Sequence, residues 1–180
     1  MEERQSQIEE AVLGYPLYDY AFFNAREIVF TEAVRTICEG NDCGMYGKRW
    51  VCPPVIGSID ECIARCQQYE RAFLFSTVTE VVDSFDLKAC VEARGDHEAI
   101  TYEIAKVFRA MTENPLILST GCIPCSECAY PDAPCRHPDS AFPTIESHGI
   151  LIMQMAAQQG INYDCGQNIV TYFSLILYNL

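Results

Sequence analysis

Basic side chains are scarce in this chain: twelve Lys and Arg stand against twenty-five Asp and Glu, a formal charge of −13 at pH 7. Nucleic-acid backbones and anionic lipid are gripped by Lys and Arg that displace counterions, so this balance argues against DNA, RNA and membrane surfaces as partners. Long hydrophobic runs are missing too, since no stretch approaches the ~20 apolar residues that cross a bilayer. The opening Met1-Glu2-Glu3-Arg4-Gln5-Ser6-Gln7 is too polar for a secretory leader, and the expected location is the cytoplasm. There is no Gly-rich phosphate loop, no G-x-S-x-G elbow and no His-Glu-x-x-His zinc helix, so phosphoryl transfer, serine hydrolysis and zincin chemistry have no motif to stand on.

What the chain has in quantity is cysteine. Eleven occur in 180 residues, an odd number that a disulfide framework would not use up. With about half of the residues hydrophobic, one domain spanning residues 1–180 builds a core without cross-links. In a reducing compartment the thiols stay free and become metal ligands.

The pattern along the chain predicts an α/β (α+β) fold, a mixed β-sheet flanked by helices with two cysteine loops at strand ends. Residues 2–13 read as a charged helix, and the aromatic stretch Tyr15–Phe23, followed by Glu27–Phe30, as one or two strands. Cys38 to Pro54 has little regular pattern. Ser58-Ile59-Asp60-Glu61 has the form of a capping box, so a helix is expected to about Gln68. Arg71–Val82 reads as a buried strand. Ile100, Ile104, Val107, Phe108 and Met111 make one face of a helix over Asp96–Met111, with charge on its other face. A short strand is expected at Pro115–Ser119, a helix from Ile145 to Gln159 stopped by Gly160, and a strand near the sheet centre over Asn168–Tyr178.

Cys122-Ile-Pro-Cys125-Ser-Glu-Cys128 is a C-x-x-C-x-x-C run, with Cys135 following. Two residues between cysteines let the chain curl so that successive thiolates converge, and Cys135 can supply a fourth. Four thiolates suit a [4Fe–4S] cluster or a tetrahedral zinc. Zinc sites more often use two separate knuckles approaching from opposite sides, so the continuous run favours iron–sulfur, with zinc as the alternative. Ferredoxin runs place a Cys-Pro soon after the third cysteine. Here the fourth comes later and is followed by Arg136-His137-Pro138. Arg136 would raise a cluster's potential if it hydrogen-bonded sulfur and is otherwise a surface residue; His137 reads as solvated or backbone-bonded, with metal ligation the lesser alternative.

Cys38-x4-Cys43-x8-Cys52 is a looser spacing. Gly44, Gly47 and Pro53-Pro54 permit a tight wrap, and Trp50 supplies an apolar wall. Three cysteines could hold a cubane with one iron open to a substrate, or recruit a fourth ligand from Cys62, Cys66, Cys90 or Cys165. Cys62 and Cys66 share a helical stripe with Ile59 and Ile63 and read as small buried hydrophobes. Cys90 lies in no motif, and Cys165 sits in the turn-like Asp164-Cys165-Gly166.

Two blocks of residues carry a resemblance: Cys38 through Pro54, with Tyr46-Gly47-Lys48-Arg49-Trp50-Val51-Cys52-Pro53-Pro54, and Cys122 through Ile150. The second contains Cys128-Ala129-Tyr130-Pro131, Pro134-Cys135-Arg136-His137-Pro138 and Glu146-Ser147-His148-Gly149-Ile150. In order and separation they resemble a family of cysteine-rich predicted metal-binding proteins found mainly in anaerobes. The resemblance implies that Cys38, Cys43 and Cys52 are metal ligands along with the second four. Thr144-Ile145 stand where that family has Ser-Met, a departure that touches no ligand. The family brings metal but no established reaction.

The expected function is therefore an iron–sulfur electron carrier or small reductase, with one or two clusters and a redox partner protein or small-molecule substrate. The alternative is a zinc-stabilised binding module without catalysis. Thiol exchange at Cys122-x-x-Cys125 is disfavoured, since proline and further cysteines follow where a thioredoxin-like helix would start. Glu146 and His148 are the only acid and base candidates near the second cluster, and they read as surface or capping residues, with general acid–base catalysis the lesser alternative.

Overall fold

The computed structural model describes residues 2–180. Helix α1 spans Glu2–Val12, strand β1 Tyr20–Asn24, α2 Glu32–Gly40, α3 Ile59–Cys66, β2 Arg71–Glu80, α4 Leu87–Met111, β3 Leu116–Leu118, α5 Ile152–Gln158 and β4 Ile169–Tyr178, with single 3-10 turns at Ala25–Glu27, Pro138–Ser140 and Glu146–His148.

The strands form one sheet in the order β1-β2-β4-β3. β2 and β4 are its centre, ten residues each, paired from Arg71 opposite Tyr178 to Glu80 opposite Ile169. Both are rich in aromatic and aliphatic residues because both faces are covered, with Ser76, Thr77 and Ser174 as buried polar exceptions. Phe73 and Phe75 of β2, with Ile176 and Tyr178 of β4, pack against Ile8 and Val12 of α1 and Ile104 and Phe108 of α4. The alternate residues Ala72, Leu74, Leu175 and Leu177 pack against Cys66, Ile150, Met155 and Ala156. A fully buried side chain such as Phe108 contributes about 1.5–3 kcal/mol over leaving it in water. No helix among the described residues is long and apolar enough to cross a membrane.

The α+β class and both central strands agree with the sequence reading, and several particulars differ. All three strand pairings are antiparallel, where a mixed sheet was expected; among the described residues the one parallel contact is the isolated bridge between Ser119 and Thr144. Of Tyr15–Phe30 only Tyr20–Asn24 is strand, because the Asn24 side chain accepts the Arg26 N–H at 2.9 Å and starts a 3-10 turn. Helix α2 was not foreseen. Helix α4 begins at Leu87 and not at the expected Asp96, after the Asp86 cap, whose carboxylate accepts the N–H groups of Lys88 and Ala89. The helix expected from Ile145 to Gln159 is broken: Gly149 takes φ 76°, and a Cβ there would lie 2.9 Å from Ile59. A 3-10 turn therefore precedes α5. The capping box at Ser58 is present, with Ser58 N–H donating to Glu61 at 2.7 Å and Glu61 N–H to Ser58 at 3.2 Å.

Candidate metal centre

The first cysteine loop is tied mainly to itself. Helix α2 ends as Asn41 enters the left-handed region at φ 58° and returns its N–H to the Cys38 carbonyl, so Cys38 sits on the last helical turn. Asn41 Oδ1 then accepts the Tyr46 N–H at 2.9 Å, Gly47 N–H donates to Pro53 O at 2.7 Å, and Cys52 N–H donates to Arg49 O at 3.1 Å. Gly44 and Gly47 supply the φ values of 70° and 67° that this wrap requires.

The second loop hangs from α4. Glu98, 6% exposed, accepts hydrogen bonds from Ser119 Oγ at 2.7 Å, from Thr120 N–H at 3.0 Å and from the Thr120 hydroxyl. One turn earlier, Arg94 donates to Thr120 Oγ1 at 2.8 Å and to the carbonyls of Thr120 and Gly121 at 2.9 and 3.1 Å. Two charged residues thus hold the peptide from which Cys122 departs. Behind them a buried chain continues from Ser119 to Ser174 at 2.6 Å, from Ser174 to His97 Nε2 at 2.8 Å, and from His97 Nδ1 to Thr77 at 2.8 Å.

The sequence offered two separate clusters, and the structure packs them together. The Trp50 indole N–H donates to Ala133 O at 3.0 Å, its ring meets Tyr130 edge-on at 4.9 Å, and the Arg49 guanidinium donates to Cys122 O. Cys43 and Cys52 from one loop and Cys122 and Cys125 from the other line a single cleft of about 380 Å³, together with Arg49 and Arg94.

The thiols differ in their readiness to ionise. Burial pushes Cys52 up to about 11, with the neighbouring Cys43, Cys38 and Cys122 adding to the rise and Arg49 opposing it. Burial likewise raises Cys38 and Cys122; Arg35 opposes it at the first, while Arg49 opposes it at the second and Cys135, Cys125 and Cys128 reinforce it. Cys128 goes the other way. Partial burial works to raise it, but the backbone N–H groups of Tyr130 and Trp50, with Arg49 and Arg136 beyond, hold it below the ordinary thiol value.

The remaining candidates have other surroundings. Cys62 and Cys66 are buried on α3, Cys66 within the core, where burial pushes it up to about 12. Cys90 Sγ donates to Ser84 O at 3.5 Å, and Cys165 sits beside Asn162 and Tyr18. Arg136 donates to the Glu127 carbonyl, and His137 is exposed. His148, expected at the surface or in a cap, is instead fully buried; burial first, then Arg65 and Arg35, lowers it to about 4. Glu146 is half-buried, and burial raises its carboxyl. Arg35, 5% exposed, bridges the carbonyls of Ser147 and Gly57 at 2.8 and 2.6 Å.

Arg94 and Glu98, four residues apart on one helix face, escaped the sequence reading. Their spacing resembles an ordinary intrahelical pair, yet both reach across to Thr120.

The eleven cysteines are all unpaired thiols, a soft donor set that suits zinc or iron–sulfur chemistry. Among the described residues, no three Cys, His, Asp or Glu side chains close on one point tightly enough to hold a single ion. The donors themselves fit a thiolate-bound metal.

A family model described as "Predicted metal-binding protein (DUF2284)" matches residues 21–178. No curated protein and no solved structure matches the chain.

Proposed function

The chain belongs to this family of predicted metal-binding proteins, and from that premise we propose an iron–sulfur protein for electron transfer or a small redox reaction. Cys122, Cys125, Cys128 and Cys135 hold a [4Fe–4S] centre, and Cys38, Cys43 and Cys52 form a second thiolate set beside it. The observation that carries this reading is the shared cleft, where Cys43 and Cys52 face Cys122 and Cys125 across about 380 Å³. When bound, the cluster supplies one-electron chemistry, with a potential tuned by hydrogen bonds to sulfur, net charge and solvent exposure.

The protein's own residues act on those three levers. The Tyr130 and Trp50 N–H groups aimed at Cys128 stabilise negative charge on that sulfur. Arg49 stands in the cleft wall and offsets thiolate charge from both loops. Trp50 and Tyr130, packed edge to face, wall one side of the second loop against water. The electrons pass to a redox partner protein or a small-molecule substrate.

Anaerobic purification followed by iron, acid-labile sulfide and zinc analysis, with electron paramagnetic resonance of the reduced protein, tests the reading. Iron and sulfide in near-equal amounts, with a paramagnetic signal on reduction, is the expected result. Stoichiometric zinc without sulfide would overturn it in favour of a zinc-stabilised binding module.

A further inference from the structure

The connection from β2 into α4 leaves its apolar side chains in water. Val82 is 97%, Phe85 90% and Leu87 80% exposed, the three most exposed large hydrophobic residues among those described, and Val91 follows at 66%. Single exposed hydrophobics are ordinary on a folded surface, but four within ten positions make a patch. The corner that carries them is well held. Val81 N–H donates to Asn168 O at 2.9 Å, Phe85 N–H to Asp83 Oδ1 at 2.9 Å and Asp86 N–H to Asp83 O at 3.0 Å. A fixed turn that exposes a phenylalanine offers a surface already shaped for a partner, with little left to order on contact.

Charge and position together say what fits there. Across residues 80–92 the exposed carboxylates of Glu80, Asp83, Asp86 and Glu92 alternate with the apolar side chains. The one base in that span, Lys88, is paired with Glu92 at 3.9 Å. A second copy of this chain would set these acids against themselves, because a two-fold interface pairs a patch with itself. Anionic lipid is repelled in the same way. The complement is an apolar centre ringed by Lys and Arg. As for position, Leu87, Val91 and Arg94 stand at i, i+4 and i+7, on one stripe of α4, and Arg94 lines the cysteine cleft. Leu87 lies about 10 Å along the helix from Arg94. Met45 and Ile123, which line the same cleft, are also exposed. Apolar surface thus stands at the cleft mouth as well as at the corner.

We infer that this corner, with the stripe leading to Arg94, docks the protein that exchanges electrons with the cysteine-bound centre, a partner whose apolar face is rimmed by Lys and Arg. What that partner does rests on the redox reading above. Docking itself requires no particular metal, so metal analysis and this inference fail separately.

The test is fluorescence anisotropy of a labelled amphipathic helical peptide of leucine and lysine, a stand-in for such a face, titrated with the anaerobically purified full-length chain. Two comparison peptides keep its length and pattern, one with glutamate for lysine and one with serine for leucine. The leucine–lysine peptide is expected to bind at least tenfold more tightly than either, and more weakly as salt is raised. Phe85→Ser combined with Leu87→Ser should weaken it at least tenfold. Glu80→Gln combined with Asp83→Asn should weaken it severalfold and flatten the salt dependence, while an Asn side-chain oxygen still accepts the Phe85 N–H. Met153→Ser, which removes an exposed hydrophobic residue on α5, should leave binding unchanged. Equal binding of the serine–lysine peptide, an unaltered Phe85 and Leu87 double variant, or an equal loss in Met153→Ser would each overturn the inference. A dimer in sedimentation velocity, or binding to phosphatidylcholine vesicles, that the same double variant abolishes would overturn it too, by giving the patch to a second copy or to lipid. Circular dichroism of each variant confirms that the fold is intact.

Discussion

The two cysteine loops reach the same cleft by different means. The first closes through hydrogen bonds between its own neighbours, Asn41 to Tyr46 and Gly47 to Pro53. The second is positioned from outside, through Arg94 and Glu98 on α4 and the buried chain of hydroxyls behind them. Burial raises Cys38 and Cys52 in the first loop and Cys122 in the second, whereas backbone N–H groups lower Cys128. A loop whose anchor lies elsewhere in the fold keeps its ligands placed before anything binds. A loop that is its own anchor can rearrange as it binds.

The largest effect that would break this comparison comes from the thiols. Replacing Cys125 and Cys128 together with Ser is expected to abolish bound iron, while Cys43→Ser should lower it only in part; iron per chain, measured anaerobically, checks both. Equal losses would show that the loops form one inseparable site.

Acid should act next, and on the second loop's anchor. Burial, aided by Arg94 and opposed by a backbone hydrogen bond at Phe173, depresses His97 from 6.5 to about 4 in the folded protein. A depressed histidine is neutral when folded and protonated when unfolded across the window between those values. Its contribution is complete above pH 6.5, falls as the pH drops, and is gone below about 4. The loss is on the order of 3 kcal/mol, measurable by denaturant unfolding at pH 7 and pH 4.5, and a His97→Asn variant should show a flatter profile than the parent.

Glu98→Gln keeps the shape of the side chain and removes the charge that Thr120 and Ser119 donate to. A cost of about 2 kcal/mol is expected from weakening charge-assisted hydrogen bonds, read as a lower Tm. Faster loss of iron to a chelator should accompany it if the anchor places the second loop. Trp50→Phe is the mildest, deleting the indole bond to Ala133 while keeping a ring against Tyr130. About 1 kcal/mol is expected, with the two loops exchanging hydrogen more freely.

Parts of this architecture were legible in the residues. Ser58 and Glu61 announce a helix start because a capping box is complete within four residues. Arg71–Glu80 and Ile169–Tyr178 announce buried strands because aromatic and β-branched residues on both faces need cover on both sides. The break at Gly149 was not legible, since it depends on Ile59 and the Thr31 carbonyl, far off in sequence, occupying the space a side chain would need. Nor was the grip of Arg94 and Glu98 on Thr120, because a charged pair four apart on a helix looks the same whether its partners are each other, water or a distant backbone.

The residues alone determined the chemistry on offer: eleven thiols, seven of them in two spaced runs, on an acidic chain with a core of its own. Local spacing governs which sulfurs a loop can present, and that much is written in the order of the amino acids. Only the tertiary structure decided that the runs face each other. The contacts that do so, Arg49 with Cys122 and Trp50 with Ala133, join residues 73 and 83 positions apart. Packing against the sheet and α4 brings such distant groups together, and no local preference of the chain records it.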